Sequence, residues 1–142
     1  MIAYIDASVL LRVILRQKPI LSEWDELHAG VSSTLLRAEC FRALDQLWHR
    51  HELDENELAA KRTVVADYLS RIAIIPIDDQ VIEITTRSLP SSLATLDAIH
   101  LASAMIYRDA QPEDEPPIFM ATHDQQLAKT ARMLDFRVIG SP

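Results

Sequence analysis

The stretch "MIAYIDASVLLRVIL", Met1–Leu15, decides how the rest of the chain is organised. Ile2 to Ile5 is a short apolar run, as a strand buried on both faces would be. From Ser8 onward the apolar residues take helical spacing. A lone carboxylate, Asp6, sits between the two. Strand, acid, helix is the opening of a β–α unit, and it leaves two readings for Asp6. It could cap the helix by accepting its free N–H groups. It could also be a reactive group placed just beyond the carboxyl end of a strand, where open parallel sheets bind their ligands.

The same alternation continues down the chain. "SVLLRVILRQ" is a helix ended by Pro19, and "SEWDELH" a short helix that stops at Gly30. "VSS" leads into a long helix, "TLLRAECFRALDQLWHRH", with Ser33 as N-cap. Asp54 and Glu57 have capping-box spacing for "ENELAAKRTVVADYLSRI". "AIIPI" is a strand, and "DQVIEITTRSL" a helix capped by Asp78-Asp79. "LDAIHLASAMIY" is apolar almost all round, with Thr95 placed to cap it. "IFMAT", "QQLAKTARML" and "FRVI" give strand, helix, strand. Strands separated by helices require crossover connections, so the fold class is α/β, a parallel sheet with helices on both faces. "DAQPEDEPP", residues 109–117, is a loop too short to link domains, and residues 1–142 read as a single domain.

Bulk properties narrow the function by exclusion. Two glycines leave no phosphate-cradling Gly-rich loop. A net charge of −7 excludes bulk electrostatic attraction to nucleic acid or anionic lipid, so a nucleic-acid role needs local basic groups or bound cations. No apolar run is long enough to span a bilayer, and the N-terminus lacks a signal-peptide pattern. One cysteine, Cys40, cannot form an internal disulfide, and these features together point to the cytoplasm.

Four carboxylates carry the functional argument. Asp6 and Asp124 follow the strands "IAYI" and "IFMATH", each with the N-cap as its structural alternative. Glu39 lies on the core-facing stripe of its helix, with Leu35, Leu36 and Ala43 as neighbours. A buried carboxylate there costs several kcal/mol, roughly, unless it is paired or metal-bound. Arg42, three residues on, is the alternative partner. Asp97 opens the most apolar helix, where complementing the helix dipole competes with a role in a site. If the four converge, their repulsion calls for a cation, and an all-oxygen set selects Mg²⁺ or Mn²⁺.

"YIDASVLL", "LLRAE", "LDAIHLASA" and "ATHDQQLAKTA", in this order and at these separations, closely resemble the PIN-domain nucleases, in particular the VapC-type toxins of bacterial toxin–antitoxin pairs. The resemblance covers essentially the whole chain. It implies a three-layer, Rossmann-like domain and an acidic site of Asp6, Glu39, Asp97 and Asp124. Ser8 and Thr122 stand where the family places small polar residues beside the first and last acids. His123 occupies a variable position where a small residue is common. The activity implied is metal-dependent endoribonuclease action by a homodimer, with a VapB-type antitoxin covering the acidic groove.

On that basis Asp6 and Asp97 are expected to ligate Mg²⁺ or Mn²⁺ directly, with Glu39 and Asp124 completing the set and Ser8 and Thr122 orienting the carboxylates. Phosphate positioning would fall to arginines such as Arg12, Arg16, Arg37 or Arg42. His49 and His51 in "HRHE" are two apart and face different sides of a helix, so they do not form a metal pair. His100 reads as a hydrogen-bonded core or interface histidine, and Cys40 as a buried thiol. A haloacid-dehalogenase-type phosphohydrolase would need Asp where Ser8 stands. A PIN nuclease of RNA processing and a catalytically silent PIN-like module are the remaining alternatives.

Overall fold

A computed structural model describes residues 1–142 and contains five strands and six α-helices. In chain order they are β1 (Ile2–Ile5), α1 (Ala7–Leu15), β2 (Ala29–Ser33), α2 (Leu35–His49), α3 (Glu55–Ser70), β3 (Ile72–Ile75), α4 (Asp79–Thr85), α5 (Thr95–Asp109), β4 (Phe119–Ala121), α6 (Gln125–Met133) and β5 (Arg137–Ile139). All neighbouring strands pair in parallel, in the order β3-β2-β1-β4-β5.

Side-chain alternation along β1 divides the core into two layers. Ala3 and Ile5 pack with Val9, Leu10 and Ile14 of α1, Leu36, Cys40 and Leu44 of α2, and Val65 of α3. Tyr4 points the other way, into a layer with Leu101 and Ala104 of α5 and Leu127 and Ala131 of α6. Helices therefore cover both faces, which is why β1 carries no charged residue before Asp6. The chain builds β1, β2 and β3 outward in one direction, then crosses to the other side of β1 for β4 and β5. The order reverses between β1 and β4, and the crevice beyond their carboxyl ends is where such sheets bind ligands.

Several local expectations change. The first helix ends at Leu15, not at Pro19, because Arg16 takes the left-handed conformation (φ 53°) and closes the turn. "SEWDELH" forms only a single 3-10 turn, Trp24–Glu26. The long second helix is flanked by Thr34, while Ser33 ends β2 and its hydroxyl accepts the Leu35 N–H. Ile72 begins β3 instead of ending the helix before it. Helix α4 starts at Asp79, capped by Asp78 through the Val81 N–H, and stops at Thr85. Thr95 is the first residue of α5, not its cap; Ala94 holds the cap position without a side-chain bond. The Asp54–Glu57 capping box forms as expected. No helix is long and apolar enough to cross a membrane.

Candidate active site

Asp6 stands at the cap position of α1, yet its side chain makes no capping bond. Its Oδ2 is used otherwise. Ser8 Oγ donates to it at 2.5 Å and Thr122 Oγ1 at 2.8 Å. Each hydroxyl in turn accepts a backbone N–H, Ser8 from His123 and Thr122 from Asp124, both at 3.0 Å. Because those N–H groups fix the hydroxyl lone pairs, the hydroxyl protons are aimed at Asp6. The β1 and β4 ends are thus stitched together, with a carboxylate 5% exposed at the seam. Oδ1 accepts no hydrogen bond within protein distance and faces His100 Nε2 at 3.6 Å.

Glu39 reaches the same place from α2. Arg42, its alternative partner, instead pairs with Asp45 at 3.0 Å on the exposed side of the helix. The Glu39 carboxylate accepts from His100 Nε2 at 2.6 Å and is 22% exposed, so it lies at the mouth and not in the core. Oxygens of Asp6 and Glu39 and a nitrogen of His100 all lie within 4.8 Å of one another.

Asp97 and Asp124 lie outside this tightest group. Asp97 nonetheless feels all of its members. Burial pushes its pKa up to about 6, the charges of Asp124, Asp6 and Glu39 push the same way, and His100 opposes them. Asp124 does cap its helix, accepting the Leu127 N–H at 2.8 Å through Oδ1. Cap and site neighbour are compatible here, because one carboxylate oxygen suffices for the cap.

The residue that sequence reasoning set aside is His100. It is fully buried. Burial alone would lower its pKa, but the bond to Glu39 and the charges of Asp6, Glu39 and Asp97 outweigh that and raise it. The signal was present: Asp97 and His100 are three apart on α5 and share one helix face. Of the proposed arginines, Arg12 is tied to the Pro19 carbonyl at 3.2 Å and Arg42 to Asp45. Cys40 is buried, and burial pushes its thiol pKa up to about 12, so it is chemically inert. His49 pairs loosely with Asp45 at 3.6 Å on an exposed surface. Trp24 packs edge-on against Tyr68, whereas Trp48 is exposed beside His49.

The carboxylates gathered here, Asp6 and Glu39 with Asp97 and Asp124 around them, offer oxygens that suit a hard divalent cation, while the imidazole is engaged by Glu39. The repulsion that pushes Asp97 upward is the conflict such an ion relieves. The donor set fits the ion.

Comparison with known proteins agrees with this architecture. The family model described as PIN domain matches residues 3–133. Ribonuclease VapC46 of Mycobacterium tuberculosis is 36% identical over 108 residues, 71% of this chain and 72% of that protein. A chain of the crystal structure of VapBC2 from Rickettsia felis bound to a DNA fragment from their promoter superposes with a TM-score of 0.66, covering 97% of each chain. At 11% identity that likeness bears on the fold alone. A three-layer parallel α/β fold, an acidic cluster at its switch point and these matches lead to one assignment: the chain belongs to the PIN-domain family, as a VapC-type member.

Proposed function

We propose that this chain is the toxin of a VapBC-type toxin–antitoxin pair, a metal-dependent endoribonuclease that hydrolyses RNA phosphodiester bonds. The observation that carries this reading is the approach of Asp6 and Glu39, from β1 and α2, to within ion-sharing distance. Asp97 and Asp124 add charge from α5 and α6. The relative named Ribonuclease VapC46 supports the activity, and a VapB-type antitoxin is the partner proposed with it, as in the VapBC2 complex whose chain shares this fold. The reading takes residues 1–142 as one PIN domain, working as a homodimer in the cytoplasm.

Asp6 Oδ1 and the Glu39 carboxylate would hold the ion, Mg²⁺ or Mn²⁺, with Asp97 as a further ligand and Asp124 acting directly or through water. When bound, such an ion activates water for attack and polarises the scissile phosphate. Ser8 and Thr122 keep Asp6 Oδ2 occupied, which leaves Oδ1 aimed into the crevice. The arrangement also accounts for an acidic protein acting on an anionic polymer, since cations between carboxylates and phosphates remove the repulsion.

The test is cleavage of total cellular RNA with mapping of the new 5′ ends, wild type beside Asp6→Asn, in Mg²⁺ and in excess chelator. Discrete ends that need both the ion and Asp6 support the reading. Discrete ends that survive in Asp6→Asn, or in chelator, overturn it.

A further inference from the structure

We propose that the Tyr4–His100 pair is a positioning device that fixes the Glu39 carboxylate at the mouth of the site, with the imidazole as a hydrogen-bond donor and not a ligand of the ion. The inference rests on the proposed metal-dependent site. It starts from a contact between acceptors. A carboxylate oxygen and an unprotonated ring nitrogen would repel at 2.6 Å, so His100 Nε2 carries a proton and donates it to Glu39 Oε2. With that proton in place, Nε2 has no lone pair to offer a cation. The three-membered group of Asp6, Glu39 and His100 is therefore two ligands and one donor.

Something must hold the ring so that Nε2 faces Glu39. Tyr4 does this from β1, with its hydroxyl 2.9 Å from His100 Nδ1 and the rings edge to face, 75° between planes. Both side chains are fully buried, so water does not compete for either nitrogen. A phenol matches Nδ1 in either charge state of the ring, donating to the neutral form and accepting from the charged one. Tyr4 is also the one β1 residue between Ala3 and Ile5 that points into the α5 layer. A strand residue two positions before Asp6 thereby orients a carboxylate on α2, through a side chain on α5. Three elements are locked to one geometry by two hydrogen bonds.

The test has one spectroscopic arm and two functional ones. In ¹⁵N-labelled wild type, His100 should show a protonated, exchange-protected Nε2, and the proton should persist when Mg²⁺ is added alone. Loss of that proton on Mg²⁺ addition would make His100 a ligand and overturn the proposal. Tyr4→Phe keeps the ring volume and should abolish the exchange protection of Nε2–H; unchanged protection would remove Tyr4 from the device. Second, His100→Gln, which retains an N–H donor, should bind Mn²⁺ within about threefold of wild type, whereas His100→Leu should bind about tenfold to a hundredfold more weakly. Equal Mn²⁺ affinity in the Leu variant contradicts the proposal. Third, in a Glu39→Gln background His100→Leu should lower total-RNA cleavage by no further factor, because it acts through Glu39; an additive loss contradicts it. Absence of RNA cleavage by wild type would remove the nuclease reading, while the ¹⁵N and Mn²⁺ arms would still decide this one.

Discussion

Thr122 Oγ1 donates to Asp6 Oδ2 at 2.8 Å, joining residues 116 apart in sequence across the seam between β1 and β4. The bond is buried, and the same oxygen accepts from Ser8. Asp6 therefore meets an incoming ligand with one oxygen only. Thr122→Val removes the donor and keeps the shape. It leaves the Asp124 N–H without its acceptor and Asp6 with one hydroxyl in place of two. The expected result is a stability loss of about 1–2 kcal/mol in denaturant unfolding and a drop in Mn²⁺ affinity or cleavage of roughly tenfold to a hundredfold. Ser8→Ala should behave similarly.

Asp124 separates capping from charge. Its Oδ1 accepts the Leu127 N–H, a role that Asn fills as well as Asp. Asp124→Asn should leave unfolding free energy within about 0.5 kcal/mol of wild type while weakening metal-dependent cleavage. Asp124→Ala should lose cleavage and about 1 kcal/mol of stability together. Denaturant titrations beside cleavage rates distinguish the two effects.

The acidic cluster should make the metal-free protein more stable below neutrality than above it. Asp97 has a folded pKa of about 6 against an ordinary 3.8, so across that window the folded state binds more protons than the unfolded state. Stability then falls as pH rises from about 4 to about 6. His100 is raised above 6.5, so its contribution is present below that value and is lost as pH climbs through its folded pKa. The two act in the same direction. Since Asp97 is only half-buried, solvent screening discounts its own share, lost between about pH 4 and about pH 6, to the order of 1–2 kcal/mol. Saturating Mg²⁺ should flatten the slope across the Asp97 window, because the ion binds that carboxylate in its deprotonated form. Melting temperatures across pH, with and without Mg²⁺, check the sign.

Much of this was legible because parallel strands and amphipathic helices leave strong patterns. "IAYI" before Asp6 stands as read, while "IFMAT" shortens to Phe119–Ala121 and the apolar helix holding Asp97 runs from Thr95 to Asp109; in both of these the element is the one expected, with its ends moved. Strand β2, "AGVSS", was not legible as a strand. Only Val31 among its five residues is of the branched kind that marks buried strands, and the neighbouring strand leaves no room for a side chain at Gly30. A Cβ on Gly30 would fall 2.6 Å from Ile5 Cδ1. Its serines are polar and yet buried; Ser32 is satisfied by the Ile5 carbonyl at 2.8 Å, a partner no local pattern reveals. Glu39 could be suspected from its apolar neighbours, but its true partner, His100, is 61 residues away on another helix. Helix ends were the least legible. Arg16 and Thr95 show why: a left-handed turn and an uncapped start leave little trace in sequence.

The most direct test of the central claim is calorimetric titration of Mn²⁺ into the RNA-free protein, wild type against Asp6→Asn, each first shown to be folded by its melting curve. Saturable binding by wild type, with at least a tenfold loss in Asp6→Asn and no loss of melting temperature, is the predicted result. Wild type that binds no ion at millimolar Mn²⁺, or the variant binding equally well, would contradict a shared cation at the β1–β4 crevice.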